Sequence, residues 1–305
     1  RTETDARPNT RQETSQEIRQ ETHRTDTTRP ADPSEPAPVE ETVVVGSKTF
    51  TESVILGEIV TQLLRAEGIS ARHRRELGGT RFVWTALRSG EIDLYPEYTG
   101  TIRQEILAGE ELGRSGETQE GRDSLRPVLE RRGIHVSDPL GFNNTYAMVV
   151  ADTLAERLGL ETISDLRAHP SLRFGFSNEF MDRADGWPGL RSAYRLPQSR
   201  VQGLDHDLAY RGLADGRIDL TDAYSTDAAL HEYDLRVLRD DRGFFPAYEA
   251  VLLYREGLTE RTPALTRVLD RLEGALSEET MIRLNSRARQ ENVAAERIAA
   301  SFIED

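Results

Sequence analysis

Regular alternation of apolar and polar positions begins at residue 42. Val43-Val44-Val45 followed by Gly46-Ser47 predicts a buried strand opening into a loop. Thr49 and Glu52 have the Thr-x-x-Glu spacing of a capping box. The helix they would start carries Ile55, Leu56, Ile59, Val60, Leu63 and Leu64 on one face and stops at Gly68. A second helix over 81–89 ends at Gly90, and Ile92-Asp93-Leu94-Tyr95 predicts the next short strand. Further strands are predicted at 146–150, 172–176, 218–221 and 250–254, with helical patterns between them and a helical end over 263–303. Such alternation predicts an α/β protein with mainly parallel sheets.

The chain carries one internal echo. Leu87-Arg-Ser-Gly-Glu-Ile-Asp-Leu-Tyr-Pro-Glu-Tyr98 aligns with Leu213-Ala-Asp-Gly-Arg-Ile-Asp-Leu-Thr-Asp-Ala-Tyr224 at an offset of 126 residues. Each copy reads as a helix end, a Gly cap, a short strand and a tyrosine. Two similar lobes are implied, each placing a tyrosine at the carboxyl end of a strand, where open α/β sheets hold their ligands.

Residues 1–41 break the pattern. They contain eight Thr, five of the thirteen Pro and only five apolar residues, Ala6, Ile18, Ala31, Ala37 and Val39. A segment so poor in apolar surface cannot offset its ordering entropy, so a disordered, acidic, Thr- and Pro-rich leader or tether is predicted. The first residue is Arg rather than Met, which reads as a processed or excerpted product.

Composition narrows the function. The 305 residues include 53 acids and 39 bases, a net charge of −14, which argues against nucleic acid or an anionic membrane as partner. Absence of cysteine removes disulfides, thiolate metal sites and a Cys nucleophile. No stretch approaches the roughly 18 consecutive apolar residues of a membrane span. Only Lys48 among the 39 basic residues is a lysine. Codon bias or salt adaptation explains the abundance of arginine but not the single exception.

Candidate chemistry is sparse. The six histidines are scattered, without a His-x-x-x-His pair, and no Gly-x-Ser-x-Gly elbow occurs. Asp205-His206-Asp207 is compatible with a metal but reads better as a solvated helix start. Gly78-Gly79-Thr80 before a helix is compatible with an anion cradle, although Gly-Gly turns are usually only turns. No catalytic set, metal site or cofactor is predicted, and the chain is read as a binding protein rather than an enzyme. The tyrosines carry more. Tyr98, Tyr146, Tyr224 and Tyr248 lie in loops or at strand ends beside turn residues, whereas Tyr95, Tyr194, Tyr210, Tyr233 and Tyr254 read as packing residues. Tyrosines converging between two lobes would present electron-rich faces to a quaternary ammonium, which has no N–H to donate.

Val45-Gly-Ser-Lys-Thr-Phe-Thr-Glu-Ser-Val-Ile-Leu-Gly57 and Gly90-Glu-Ile-Asp-Leu-Tyr-Pro-Glu-Tyr-Thr-Gly-Thr101 resemble the substrate-binding proteins of glycine betaine/choline ABC importers, in their tyrosine-cage branch. Asn143-Asn-Thr-Tyr-Ala-Met148, Asp182-Arg-Ala-Asp-Gly-Trp-Pro-Gly-Leu190, Asp222-Ala-Tyr-Ser-Thr-Asp227 and Phe245-Pro-Ala-Tyr-Glu-Ala250 continue the resemblance, which covers about 42–305. It implies a type II periplasmic-binding-protein fold, with two α/β lobes, two hinge crossings and a ligand cleft between them. Lobe 1 would comprise 42–143 and 247–305, and lobe 2 would comprise 144–246. The resemblance also implies that Tyr98, Tyr146, Tyr224 and Tyr248 box a trimethylammonium group. Lys48, Thr101 and Arg183 would hold a carboxylate, and Asn144 would line the cage. Many relatives carry Gln where this chain has Ser53, a difference that bears on ligand preference if that side chain reaches the ligand.

The expected ligand is glycine betaine, choline or a related betaine, delivered to a membrane permease by an extracytoplasmic, monomeric protein whose leader could serve as a membrane tether. The alternatives are a receptor for another small zwitterion, such as an amino acid or ectoine, an enzyme on the same fold, and an interaction module working through residues 1–41. A primary ammonium normally needs a buried acid as partner, so a cage with no carboxylate at the cation would disfavour the amino-acid reading.

Overall fold

The computed structural model describes residues 42–109 and 124–304, so the expected leader lies outside the described residues. Its largest sheet has the strand order β2-β1-β3-β10-β4, built from β1 (Val43–Gly46), β2 (Ala71–Arg74), β3 (Leu94–Tyr98), β4 (Ile134–Val136) and β10 (Ala250–Arg255). A second sheet has the order β8-β5-β9, from β5 (Tyr146–Ala151), β8 (Thr221–Tyr224) and β9 (Leu235–Leu238). A further pair joins β6 (Phe174–Ser177) to β7 (Val201–Leu204).

The expectation of mainly parallel sheets needs correction. β1 runs parallel to β2 and β3, and β6 runs parallel to β7, but β10 is antiparallel to both its neighbours and β5 is antiparallel to β8 and β9. The cause is the return of the chain. β10 re-enters the first sheet from the region of the second, and its direction is set by that path rather than by a helical crossover.

Three strands also begin later than the apolar pattern indicates, β6 starting at Phe174 rather than at 172. The predicted strands at 92–95 and 218–221 are observed as Leu94–Tyr98 and Thr221–Tyr224. Ladders extend as far as a neighbouring strand offers partners. β10 pairs with residues 94–98 and β5 pairs with residues 221–224. In both halves of the internal echo the tyrosine is therefore the last residue of its strand.

β1 shows why its three valines are consecutive. Val43 and Val45 pack into the main core while Val44 packs into a second cluster with Val83, Leu87 and Tyr95, so both faces of the strand are buried. α1 (Thr51–Ala66) lies against this sheet with the six predicted apolar residues buried. Its middle holds Gly57, where a Cβ would come within 2.4 Å of His73 Nε2 on β2, so the helix approaches the strand only because that position is glycine. α2 (Thr80–Ser89) ends as predicted at Gly90, which adopts the left-handed conformation at φ 80°.

The capping box does not form. The N-cap of α1 is Phe50, with no side-chain cap, and Glu52 is buried elsewhere. Ser53 Oγ instead accepts the backbone N–H of Lys48 at 2.9 Å, which folds the β1–α1 loop back onto the helix.

Two stretches of chain link the first sheet to the others, and they are zipped together. Asn143 and Glu249 form an antiparallel bridge, Asn144 N donates to Tyr248 O at 3.0 Å, and Tyr248 N donates to Asn143 Oδ1 at 2.6 Å.

Candidate functional site

The eight residues singled out from sequence come from six separate segments, and the fold brings all of them to one cavity. Lys48 follows β1, Tyr98 ends β3 and Thr101 closes the helical turn Thr99–Thr101. Asn144 lies in the first linking stretch, and Tyr146 opens β5. Arg183 follows the helix Asn178–Asp182, Tyr224 ends β8 and Tyr248 lies in the second linking stretch. With Phe50 and Glu179 they line about 300 Å³ of space, counting its opening to solvent.

The rings form a continuous wall. Tyr146 lies 5.3 Å from Tyr224 and 5.5 Å from Tyr248, the latter nearly edge-on. Phe50, which sequence reasoning passed over, closes the gap, at 6.2 Å from Tyr98 and 5.4 Å from Tyr224. The close approach of Tyr248 depends on Gly100, where a Cβ would fall 2.4 Å from the ring. Lys48 Nζ sits 5.6 Å from the Tyr98 ring centre and Arg183 Cζ 5.8 Å from that of Tyr146, so two faces already meet cations of the protein.

Each cation has an acid partner that sequence reasoning did not name. Lys48 Nζ donates to Glu97 Oε1 at 2.5 Å, and Glu97 also accepts from Tyr95 OH and from Tyr98 N. Arg183 grips Asp185 with Nε at 2.8 Å and Nη2 at 2.5 Å, a bidentate pairing, while Tyr248 OH donates to the same carboxylate at 2.6 Å. Arg183 reaches Thr101 Oγ1 and Glu179 Oε1 only at 3.4 Å. Asp185 was in view within the Asp-Arg-Ala-Asp-Gly motif. Its role was not, because an (i, i+2) spacing does not by itself announce a pair.

Glu52 accepts from four side chains. Its Oε1 accepts from Tyr98 OH at 2.6 Å and Asn144 Nδ2 at 2.8 Å, and its Oε2 accepts from Thr226 Oγ1 at 2.5 Å and Asn285 Nδ2 at 2.9 Å. Burial pushes its carboxyl above the ordinary value even against these donors. Burial also raises Glu97, with Lys48 opposing it. Glu179 behaves differently. Burial alone would raise it, but Lys48, Arg183 and two bonds from Thr80 bring it below its ordinary value, which favours the carboxylate form. The cavity therefore contains a carboxylate, held at its Thr80 and Arg183 end.

Ser53 is buried beneath the Lys48 loop and is not part of the cavity wall. His206 opens the helix His206–Ala214 as predicted but is not simply solvated. Its Nε2 lies 2.8 Å from Asp227 Oδ2 and its ring 4.7 Å from that of Tyr224, while Asp227 also accepts from Tyr224 N at 2.9 Å. The pair buttresses Tyr224 from behind. Among the described residues no group of three or more metal-ligating side chains occurs, and no helix is long and apolar enough to cross a membrane.

The chain is similar to several known proteins. The chain is 34% identical over 268 residues to the ergothioneine transport permease/ergothioneine binding protein EgtU of Helicobacter pylori, covering 87% of this chain and 48% of that protein, so it spans about half of that relative's length. It is 31% identical over 277 residues to a glycine-betaine-binding protein of Pseudomonas aeruginosa, covering 87% of this chain and 88% of that one. A crystal structure of a glycine betaine/carnitine/choline ABC transporter matches with a TM-score of 0.68 at 28% identity, over 86% of this chain and 97% of that chain. A choline binding protein in complex with choline matches with a TM-score of 0.65 at 14% identity, over 87% and 88%, and so bears on the fold alone. The fold is the type II periplasmic-binding-protein fold. Residues 41–305 match the substrate-binding domain of the ABC-type glycine betaine transport system, and the chain belongs to that family.

Proposed function

We propose that this chain is the extracytoplasmic ligand-binding component of an ABC importer. It takes a small quaternary-ammonium solute into the aromatic cavity and presents it to a membrane permease, and its work is binding and delivery without covalent chemistry. The observation that carries this reading is the convergence of Tyr98, Tyr146, Tyr224, Tyr248 and Phe50 around one space beside Lys48 and Arg183. Electron-rich faces attract a trimethylammonium group that no hydrogen-bond acceptor can hold, each desolvated contact contributing up to about 2 kcal/mol. Four such contacts support micromolar binding, about −8 kcal/mol, after association costs.

In this reading residues 42–143 and 247–305 form one lobe, and residues 144–246 form the other. Lys48, Tyr98 and Thr101 then approach the ligand from one side, and Arg183 and Tyr224 from the other. Asn144, Tyr146 and Tyr248 lie near the crossings. Ligand would favour the closed arrangement because only closure brings both sets together.

Isothermal titration calorimetry with glycine betaine, proline betaine, carnitine, choline, ergothioneine and ectoine, at low and high salt, tests the proposal. Micromolar or tighter binding of at least one quaternary ammonium is expected, and no heat from any of them would overturn it. The presence of Glu179 in the cavity wall favours a second reading, an amino-acid receptor in which that carboxylate pairs with a primary ammonium. Heat from amino acids alone would select it.

A further inference from the structure

Glu179 is the acid of the cavity that no sequence motif marks, and its position is unusual. It stands on the helix Asn178–Asp182, yet its carboxylate reaches across the cleft to the start of α2. There Oε1 accepts from Thr80 Oγ1 at 2.7 Å and faces Thr80 N at 3.4 Å. The same oxygen lies 3.4 Å from Arg183 Nη1. The anion cradle suggested by Gly78-Gly79-Thr80 is thus filled by an acid of the protein itself. A Cβ at Gly79 would stand 3.8 Å from that carboxylate, an ordinary contact, so it is the hydroxyl and N–H of Thr80 that hold the acid there.

Three further facts define what this acid does. Its side chain is 28% exposed, on the boundary between the aromatic cavity and a larger outer groove lined by Gly79, Thr80, Arg81, Asn178 and Asp182. Lys48 and Arg183, the cations that would hold a ligand carboxylate, are the two cations that act on it most strongly. Both already carry closer partners in Glu97 and Asp185, which leaves them little unneutralised charge to share between a second and a third anion.

We propose that Glu179 is a specificity-determining residue that stands in for a ligand carboxylate, so that zwitterionic ligands must displace it from Thr80 and Arg183 whereas carboxylate-free cations need not. This rests on the quaternary-ammonium reading given above. A zwitterion such as glycine betaine brings its anion within a few ångströms of its cation, into the field of Glu179, and is repelled there. Choline offers only a hydroxyl at that end and leaves the Glu179–Thr80 contact in place.

Calorimetry of glycine betaine and choline with the full chain and two variants tests the proposal. Glu179→Gln should bind glycine betaine at least tenfold more tightly than the unaltered protein, with choline unchanged or weaker. Thr80→Val keeps the charge but removes the hydroxyl that anchors it, and should strengthen glycine betaine binding several-fold, again without gain for choline. Thr80→Val decides the matter alone if Glu179→Gln fails to fold. Glycine betaine binding that is unchanged or weaker in the folded variants, or an equal gain for choline, overturns the proposal while leaving the ligand class intact. An unaltered protein that binds neither compound overturns this inference, while the quaternary-ammonium reading falls only if proline betaine, carnitine and ergothioneine give no heat either.

Discussion

The phenol of Tyr98 donates to Glu52 Oε1 at 2.6 Å, so a ring at the end of β3 is fixed from the first turn of α1. The same carboxylate holds Asn144, Thr226 and Asn285. Thr226 lies two residues beyond Tyr224, so one buried acid ties together the supports of three cavity residues.

Removing that acid should therefore cost both stability and binding. Glu52→Ala leaves four buried donors without their acceptor and should lower stability by at least about 3 kcal/mol, roughly 10 °C in Tm. Glu52→Gln keeps the shape and half of the acceptor capacity, and should lose less. Thermal unfolding of both variants, with equal losses as the contrary result, checks the point.

The four cavity tyrosines should not respond alike to loss of the hydroxyl. Tyr98 OH and Tyr248 OH donate to Glu52 and Asp185, whereas among the described residues the hydroxyls of Tyr146 and Tyr224 have no hydrogen-bond partner. Tyr→Phe at 146 or 224 should leave binding within about twofold. The same change at 98 or 248 should weaken it about tenfold, since a buried hydrogen bond to a carboxylate is lost. Tyr→Ala at any of the four should weaken binding far more, because the π face goes with it. Ligand titrations of the eight variants read the pattern directly.

Gly100 is required by contact rather than by backbone conformation. A methyl group there would lie 2.4 to 2.8 Å from atoms of the Tyr248 ring, and that ring cannot retreat without breaking its bond to Asp185. Gly100→Ala should weaken binding by more than tenfold with a smaller effect on Tm. A variant that binds normally would show that the ring has another resting place.

Acid stability should depend on Glu58, which lies away from the cavity. Its bond with His73, joined by Gln62 and Arg75 against the opposing effect of burial, lowers its carboxyl from 4.5 to about 2. A carboxyl more acidic in the folded state stabilises fully above its unfolded value and loses that contribution as pH falls through the folded one. Glu58→Gln should therefore cost about 1–2 kcal/mol near pH 7, allowing for solvent screening at the half-exposed Arg75. The deficit should shrink between pH 4.5 and pH 2. Urea titrations of both proteins across that range measure it, and a constant deficit would assign the loss to packing.

How much of this was readable in the chain depends on the distance over which each feature is decided. β1, the extent and apolar face of α1, the Gly90 cap and the pairing of Tyr98 with Tyr224 at equivalent strand ends all follow from patterns within a dozen residues, where periodicity and backbone preference act. The eight cavity residues were legible through motifs of similar length. The antiparallel course of β10, the later start of β3 and β8 and the failure of the Thr49 cap were not, because each depends on a partner that local pattern does not name.

The sequence by itself determined the strands and helices with the clearest apolar patterns and, through its motifs, eight of the ten side chains that line the cavity, but not β2, β4, β7, β9, Phe50 or Glu179. Tertiary structure alone decided the electrostatic state of that cavity. Lys48 is conspicuous as the lone lysine, but its partner Glu97 is 49 residues away. Glu52 finds its donors 46, 92, 174 and 233 residues along the chain. Glu179 meets Thr80 across 99. A charge buried at such a junction must be satisfied by whatever the fold brings to it, and that choice is made only when the distant segments have packed.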